Sequence, residues 1–212
     1  MSPHDRKHRQ VFINCPFDAD YKPLFDAIIF AIFVCGFQPR CALEEINGGR
    51  VRYEKILAII KICHYSIHDI SRTELDRQNK LPRFNMPFEL GLYPGAQRFG
   101  AGEHARKTCL ILDKEKYRYQ KFISDISGQD IESHSNDPAK AIAAVRKWLT
   151  PLSDTPELIA GGRKISKHYQ DFRIKLLVLL GALNMDDDEA SYTDYTNIVS
   201  GWLKANPVLK VP

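Results

Sequence analysis

The chain has 212 residues, 44% hydrophobic and 26% charged, with a formal net charge of +4. That is a soluble globular balance, long for one compact domain and short for two, so one core domain with an appendage is expected. The mild positive charge favours anionic partners such as nucleotides, but Lys and Arg form no long block, so direct nucleic-acid binding is not expected. Five cysteines, Cys15, Cys35, Cys41, Cys63 and Cys109, lie in apolar segments without a CxxC pair, which points to buried thiols in a reducing compartment and to no metal site. Residues 1–10 form a polar, basic tail with no apolar stretch of the kind a signal peptide needs. The runs Leu24 to Phe37 and Ile174 to Leu183 are too short to span a bilayer, and the first carries Asp26. A cytoplasmic protein without membrane contact is expected.

Val11 to Cys15 is an apolar run ended by Pro16 and reads as a buried strand. Asp20 fits an N-cap, Leu24, Ile28, Ile32 and Cys35 follow at helical spacing, and Gly36 fits the stop. Phe37 to Leu43 reads as a second strand and Glu44 to Arg50 as a polar loop holding Gly48 and Gly49. Tyr53 to Cys63 reads as an amphipathic helix, Tyr65 to Ile70 as a third strand and Ser71 to Pro82 as a loop. A helix opens at Asn85, and Lys107 to Leu112 is a fourth strand. Lys114 to Ser124 reads as a charged helix and Gly128 to Asn136 as a polar loop. Asn136 or Asp137 caps a helix over Pro138 to Leu149, and Thr150 to Gly162 is a connector. Two more helices follow, Lys164 to Leu183 and Tyr192 to Ala205, with Tyr192, Tyr195 and the acidic run Asp186 to Glu189 read as a turn and a solvated helix start.

Strands alternating with helices predict an α/β fold, a flavodoxin-like parallel sheet of order 2-1-3-4 with a possible fifth strand, flanked by helices. Residues 11–150 make that domain and residues 151–212 an α-helical C-terminal extension, whose role as lid, dimer contact or packed addition stays open. In such sheets ligands bind beyond the carboxyl ends of the strands where the order switches. That brings Asn14 to Asp18, His68 to Arg72 and the Asn85 helix to one edge.

The stretch Arg83-Phe-Asn-Met-Pro-Phe-Glu-Leu-Gly-Leu92 draws the chain together. Asn85 is placed to act as N-cap, and Pro87 is tolerated in the first turn. Phe88 and Leu92 lie four apart and are expected to face a core. Asn85, Glu89 and Tyr93 share the neighbouring face. The positive end of the helix dipole favours an ionised Glu89, a way to keep a nucleophilic carboxylate ready at neutral pH.

Val11-Phe-Ile-Asn-Cys-Pro-Phe-Asp18, Tyr65-Ser-Ile-His-Asp-Ile-Ser-Arg72 and Asn85-Met-Pro-Phe-Glu-Leu-Gly91 together resemble the nucleoside 2-deoxyribosyltransferase-like and TIR-like superfamily, over about residues 10–113. The resemblance is to bacterial members, several of which serve in anti-phage defence. It implies cleavage of an N-glycosidic bond in a nucleoside or in NAD through the matching glutamate, Glu89, with NAD the leading substrate and nicotinamide the product. It also implies an acidic residue near base or sugar, Asp69, and a homo-oligomer. No cofactor is required. Arg83, Phe84 and Asn85 depart from the deoxyribosyltransferase pattern, which has an Asp and small residues before the Phe-Glu pair.

Glu89 and Asp69 are thus the candidate catalytic residues, with Asp69 either assisting the leaving base or capping its own loop. Asn14, Phe17, Asp18, Ser71, Arg72, Asn85, Arg50 and Tyr93 are candidate substrate contacts. Arg72 suits a phosphate or a plain surface, Asp18 a pocket or a helix cap, and Phe17 and Tyr93 a base or the core. Arg50 and Arg52 beside the glycines suit a pyrophosphate, although the loop is not a phosphate-binding glycine motif. His68 is expected to point away from Asp69 and pack. The alternative is a nucleotide-sensing or scaffold module with the same pocket and no chemistry.

Overall fold

The computed structural model describes residues 9–44, 48–75 and 80–209, so most of the predicted N-terminal tail and parts of the loops after the second and third strands lie outside the described residues. Five strands, β1 (Gln10–Asn14), β2 (Gln38–Arg40), β3 (Tyr65–Asp69), β4 (Thr108–Asp113) and β5 (Ile131–Ser133), form one sheet in the order β2-β1-β3-β4-β5. Every pairing is parallel. This is the flavodoxin-like α/β arrangement the alternation predicts, with the fifth strand present. That strand falls inside the predicted polar loop, and its three residues pair only with the second half of β4, Ile111 to Asp113. Its local pattern is too short to announce a strand, and the open edge of β4 supplies the partner.

Among the described residues four helices flank the sheet, α1 (Lys22–Val34), α2 (Arg52–Ile62), α3 (Asn85–Phe99) and α4 (Pro138–Leu149), and two more, α5 (Gly162–Ala182) and α6 (Tyr192–Ala205), pack outside them. The alternation of β1 sets the layers. Val11 and Ile13 pack with α1 and α4, whereas Phe12 packs with Ile56, Ile59 and Ile60 of α2 and Tyr93 of α3. Every residue of α1 from Leu24 to Ile32 is buried, because the sheet covers one side and α5 and α6 cover the other. Burying each large apolar side chain is worth roughly 1.5–3 kcal/mol, so α1 is the spine of the core. The C-terminal helices are therefore a packed addition. Ile165, Tyr169, Phe172, Leu176 and Leu180 of α5 and Val199 of α6 belong to the same cluster as β1.

Lys22 and Arg173 each reach Asp26 at 2.9 Å, which pins α5 to α1 through a buried carboxylate. Tyr195 is buried and donates to the Asp26 carbonyl at 3.1 Å, and Tyr192 donates to the Pro39 carbonyl at 2.8 Å. The expected solvated helix start is thus a packed one, with Ser191 and Asp194 closing a capping box.

Three local expectations change. α1 has no cap from Asp20. Asp18 turns its carboxylate back to the Tyr21 N–H at 3.0 Å instead. Gly36 ends α1 as expected, with φ +82, a conformation only glycine takes without strain. Residues 114–124 hold only a short 3-10 turn at Arg118–Lys121 rather than a helix. Arg118 is drawn instead to Asp113, donating from Nε at 2.8 Å, and to the Ile70 carbonyl at 2.8 Å. In α3, Phe84 occupies the N-cap position and no side chain caps it. The inward face carries Met86, Glu89, Leu90 and Tyr93, and Phe88 is 55% exposed. Apolar residues occupy both candidate faces of this helix, so spacing alone cannot set its rotation.

Candidate active site

A cleft of about 570 Å³ opens at the carboxyl ends of β1 and β3, where the strand order reverses. This is the place and the size of a small-molecule site in an open parallel sheet. The loop after β1 supplies Cys15, Pro16, Phe17, Asp18 and Asp20. The start of α2 supplies Arg52, the loop after β3 Arg72, Glu74 and Leu75, and the approach to α3 Arg83, Asn85 and Met86.

Glu89 lies one turn into α3 beyond Asn85 and Met86, and is only 5% exposed. Burial pushes its carboxyl up from 4.5 to about 7, with Arg52 pulling the other way. Cys15, on the cleft wall, is fully buried. Its thiol is raised well above its ordinary value by burial and then by negative charge around it, including Asp69, Glu89 and Asp18. The negative charges of Asp69, Glu89 and Asp18 all act on the end of β1, and Glu89 lies one turn of α3 beyond the cleft-lining Asn85 and Met86. The expected dipole-stabilised, fully ionised Glu89 gives way to a group half-charged near pH 7, because desolvation exceeds what a helix terminus supplies.

Three guanidinium groups line the cleft. Arg72 approaches Asp18 at 3.5 Å and Asp20 at 3.9 Å. Arg52 stands over the Phe17 ring at 5.6 Å. Arg52 and Arg83 both line the cleft, where a guanidinium suits a phosphate. Glu74 is drawn out of the balance. Burial, the largest single effect, would raise its carboxyl, but the hydrogen bond from Lys114, a backbone hydrogen bond and the charges of Lys114 and Arg118 together lower it. The start of α3, which no side chain caps, adds backbone N–H groups beside Arg83 and Asn85.

Asp69 ends β3 as expected, but its carboxylate is fully enclosed. Tyr21 donates to Oδ2 at 2.6 Å, and the Ser71 N–H donates to Oδ1 at 2.8 Å. His134 Nε2 lies 3.0 Å from Oδ2, off the line of a straight hydrogen bond. Asp69 accordingly ties together the start of α1, the loop after β3 and the turn after β5, and it does not line the cleft. Tyr21 and His134 were invisible in sequence, since neither sits in a motif.

Asn14 is also buried. Its Nδ2 donates to the Met86 carbonyl at 2.9 Å and meets His68 Nδ1 at 3.0 Å, so it ties β1 to the first turn of α3. His68 packs as expected, edge-on to Phe12 at 5.8 Å, with burial holding its imidazole neutral at about 3. Ser71 is buried, and its Oγ has no partner among the described residues. Tyr93 is core and not a stacking platform: it is 1% exposed and donates to the His64 carbonyl at 2.6 Å. Arg50 is exposed and does not line the cleft, so Arg52 takes the place expected of it. Phe17, Asp18, Arg72 and Asn85 come together in the cleft, joined by Arg83 and Arg52. Among the described residues no three His, Cys, Asp or Glu side chains cluster as a metal site needs. No helix of the structure is long and apolar enough to cross a membrane.

Comparison with protein-family models, curated proteins and solved structures finds no match to the chain.

Proposed function

We propose that this protein cleaves the N-glycosidic bond of a nucleotide or nucleoside, with NAD the leading substrate and Glu89 the reacting carboxylate. The observation that carries the reading is a buried glutamate, poised at about 7, one turn of α3 beyond Asn85 and Met86, which line a cleft together with Arg52, Arg72 and Arg83.

The chemistry follows from charge. When the bond from C1′ of the ribose to the nicotinamide nitrogen breaks, its electron pair goes to that nitrogen and cancels the ring's positive charge. The leaving group needs no proton. A second acid beside the leaving base is therefore unnecessary, which suits a site in which Asp69 is enclosed. Positive charge develops at C1′, and ionised Glu89 stabilises it or bonds to it. Water then adds its oxygen to C1′, breaking the C1′–O bond and returning its electron pair to Glu89 where that bond has formed, and the carboxylate, poised near 7, is well matched to take the water proton. The guanidinium groups hold the pyrophosphate and leave the ribose over α3.

The enclosure of Asp69 also favours a second reading, a module that binds a nucleotide and leaves it intact. One experiment separates them. The purified chain is incubated with NAD, and separately with mixed nucleosides and deoxynucleosides, and the products are resolved by chromatography beside Glu89→Gln. Nicotinamide or free base that disappears in Glu89→Gln is expected. Product formation unchanged in that variant overturns the mechanism, and NAD bound and recovered intact supports the second reading.

A further inference from the structure

α5 has two apolar faces where one would suffice. The inner face carries Ile165, Tyr169, Phe172, Leu176 and Leu180 and is buried in the core. The outer face carries Ile174, Leu177 and Val178, which are 70%, 64% and 64% exposed. At 100° per residue these three and Gly181 point away from the core as one stripe. A monomer gains nothing from such a stripe, and contiguous exposed apolar surface of this kind marks an interaction site.

We propose that this outer face of α5 is a two-fold interface between two copies of the chain. The stripe is self-complementary. A two-fold axis between Leu177 and Val178, with the helices antiparallel, sets Ile174 of each copy on Gly181 of the other and Leu177 on Val178. The most exposed side chain of the stripe then meets the residue that has none, and the space at Gly181 is open, with no atom within 4 Å of where a Cβ would stand. Small residues let helices approach closely, as ridge-and-groove packing requires.

Charge agrees with the same axis. Exposed Arg163 and Lys167 extend the stripe toward the N-terminus of α5, and exposed Asp186 and Asp188 follow its C-terminus. Antiparallel pairing brings the basic end of each copy beside the acidic turn of the other, at both ends of the contact. A membrane surface would meet the basic end but be repelled by the acidic one.

The test uses the full chain. Sedimentation or light scattering from micromolar concentration upward is expected to give twice the 24.3 kDa chain mass, weakening as salt rises. Leu177→Glu, at an exposed position, is expected to give a monomer with unchanged circular dichroism. In the double variant Ile174→Cys with Gly181→Cys, the two sites lie about 10 Å apart along one helix. They are too far apart to bridge within a chain, so oxidation is expected to give a covalent dimer. A wild-type monomer, or a dimer indifferent to Leu177→Glu, overturns the proposal. A dimer lost in Leu177→Glu without cross-linking in the double variant overturns the antiparallel register. A monomer that sediments with phosphatidylglycerol vesicles assigns the stripe to a membrane surface and overturns the dimer.

Discussion

Tyr21 donates its phenolic proton to Asp69 at 2.6 Å, beneath the loop that lines the cleft. The bond joins the start of α1 to the end of β3 and, with His134 and the Ser71 N–H, closes the Asp69 carboxylate off from solvent. Removing it separates a positioning role from a chemical one. Tyr21→Phe is expected to lower stability by about 2 kcal/mol, the range for a hydrogen bond to a charged group. If Asp69 only positions, Tyr21→Phe and Asp69→Asn lower the melting temperature in the same direction and affect turnover alike. A loss of kcat in Asp69→Asn far beyond that in Tyr21→Phe would instead place Asp69 at the reacting atoms.

Glu89 makes stability depend on pH in a definite direction. Its folded pKa of about 7 lies above the ordinary 4.5, so the folded state holds the proton more tightly than the unfolded chain does. Its favourable contribution is full below about pH 4.5 and is lost as pH rises to about 7. Glu89→Gln cannot ionise and escapes that loss. The variant is expected to match wild type near pH 4.5 and to exceed it by about 3 kcal/mol at pH 8. Chemical denaturation at both values checks this, and equal stabilities at pH 8 would mean that Glu89 is not desolvated.

The same carboxylate sets the pH dependence of the proposed reaction. If ionised Glu89 meets the developing cation, kcat/KM rises with pH through about 7. Arg52 holds that value down, so Arg52→Ala is expected to move the rising limb to higher pH as well as weakening binding. A pH–rate profile of both enzymes reads the shift directly, and a limb that stays in place excludes Arg52 as the partner of Glu89.

Arg83 and Arg72 divide their work differently from Glu89. Arg83→Ala is expected to weaken NAD binding by about 10- to 100-fold, the loss of one charge-assisted contact to phosphate, with kcat little changed. Nicotinamide riboside, which lacks the phosphates, is expected to bind both proteins alike. Equal losses for the two ligands would move Arg83 away from the pyrophosphate. Arg72→Ala is expected to act less, because Asp18 and Asp20 already share its charge.

Much of this molecule is a local property and was legible in the residues. The alternation of apolar runs with amphipathic stretches prescribes the parallel sheet and its order. Gly36 ends α1, Asp137 caps α4 with its carboxylate 2.8 Å from the Ala139 N–H, and α6 runs from Tyr192 to Ala205 as its periodicity indicates. The convergence of Phe17, Asp18, Arg72 and Asn85 on one edge follows from strand order alone. Other features depend on residues distant in the chain. The rotation of α3 is decided by what β1 and α2 present to it, so Met86 and Tyr93 turn inward and Phe88 does not. The three residues of β5 become a strand because β4 has an edge to offer. Asp69 is enclosed by Tyr21 and His134, and Glu89 acquires its raised pKa from burial. Periodicity reports which face of an element is apolar. Only packing fixes how that face is turned, how much water remains on it, and therefore how strongly a carboxylate there holds its proton.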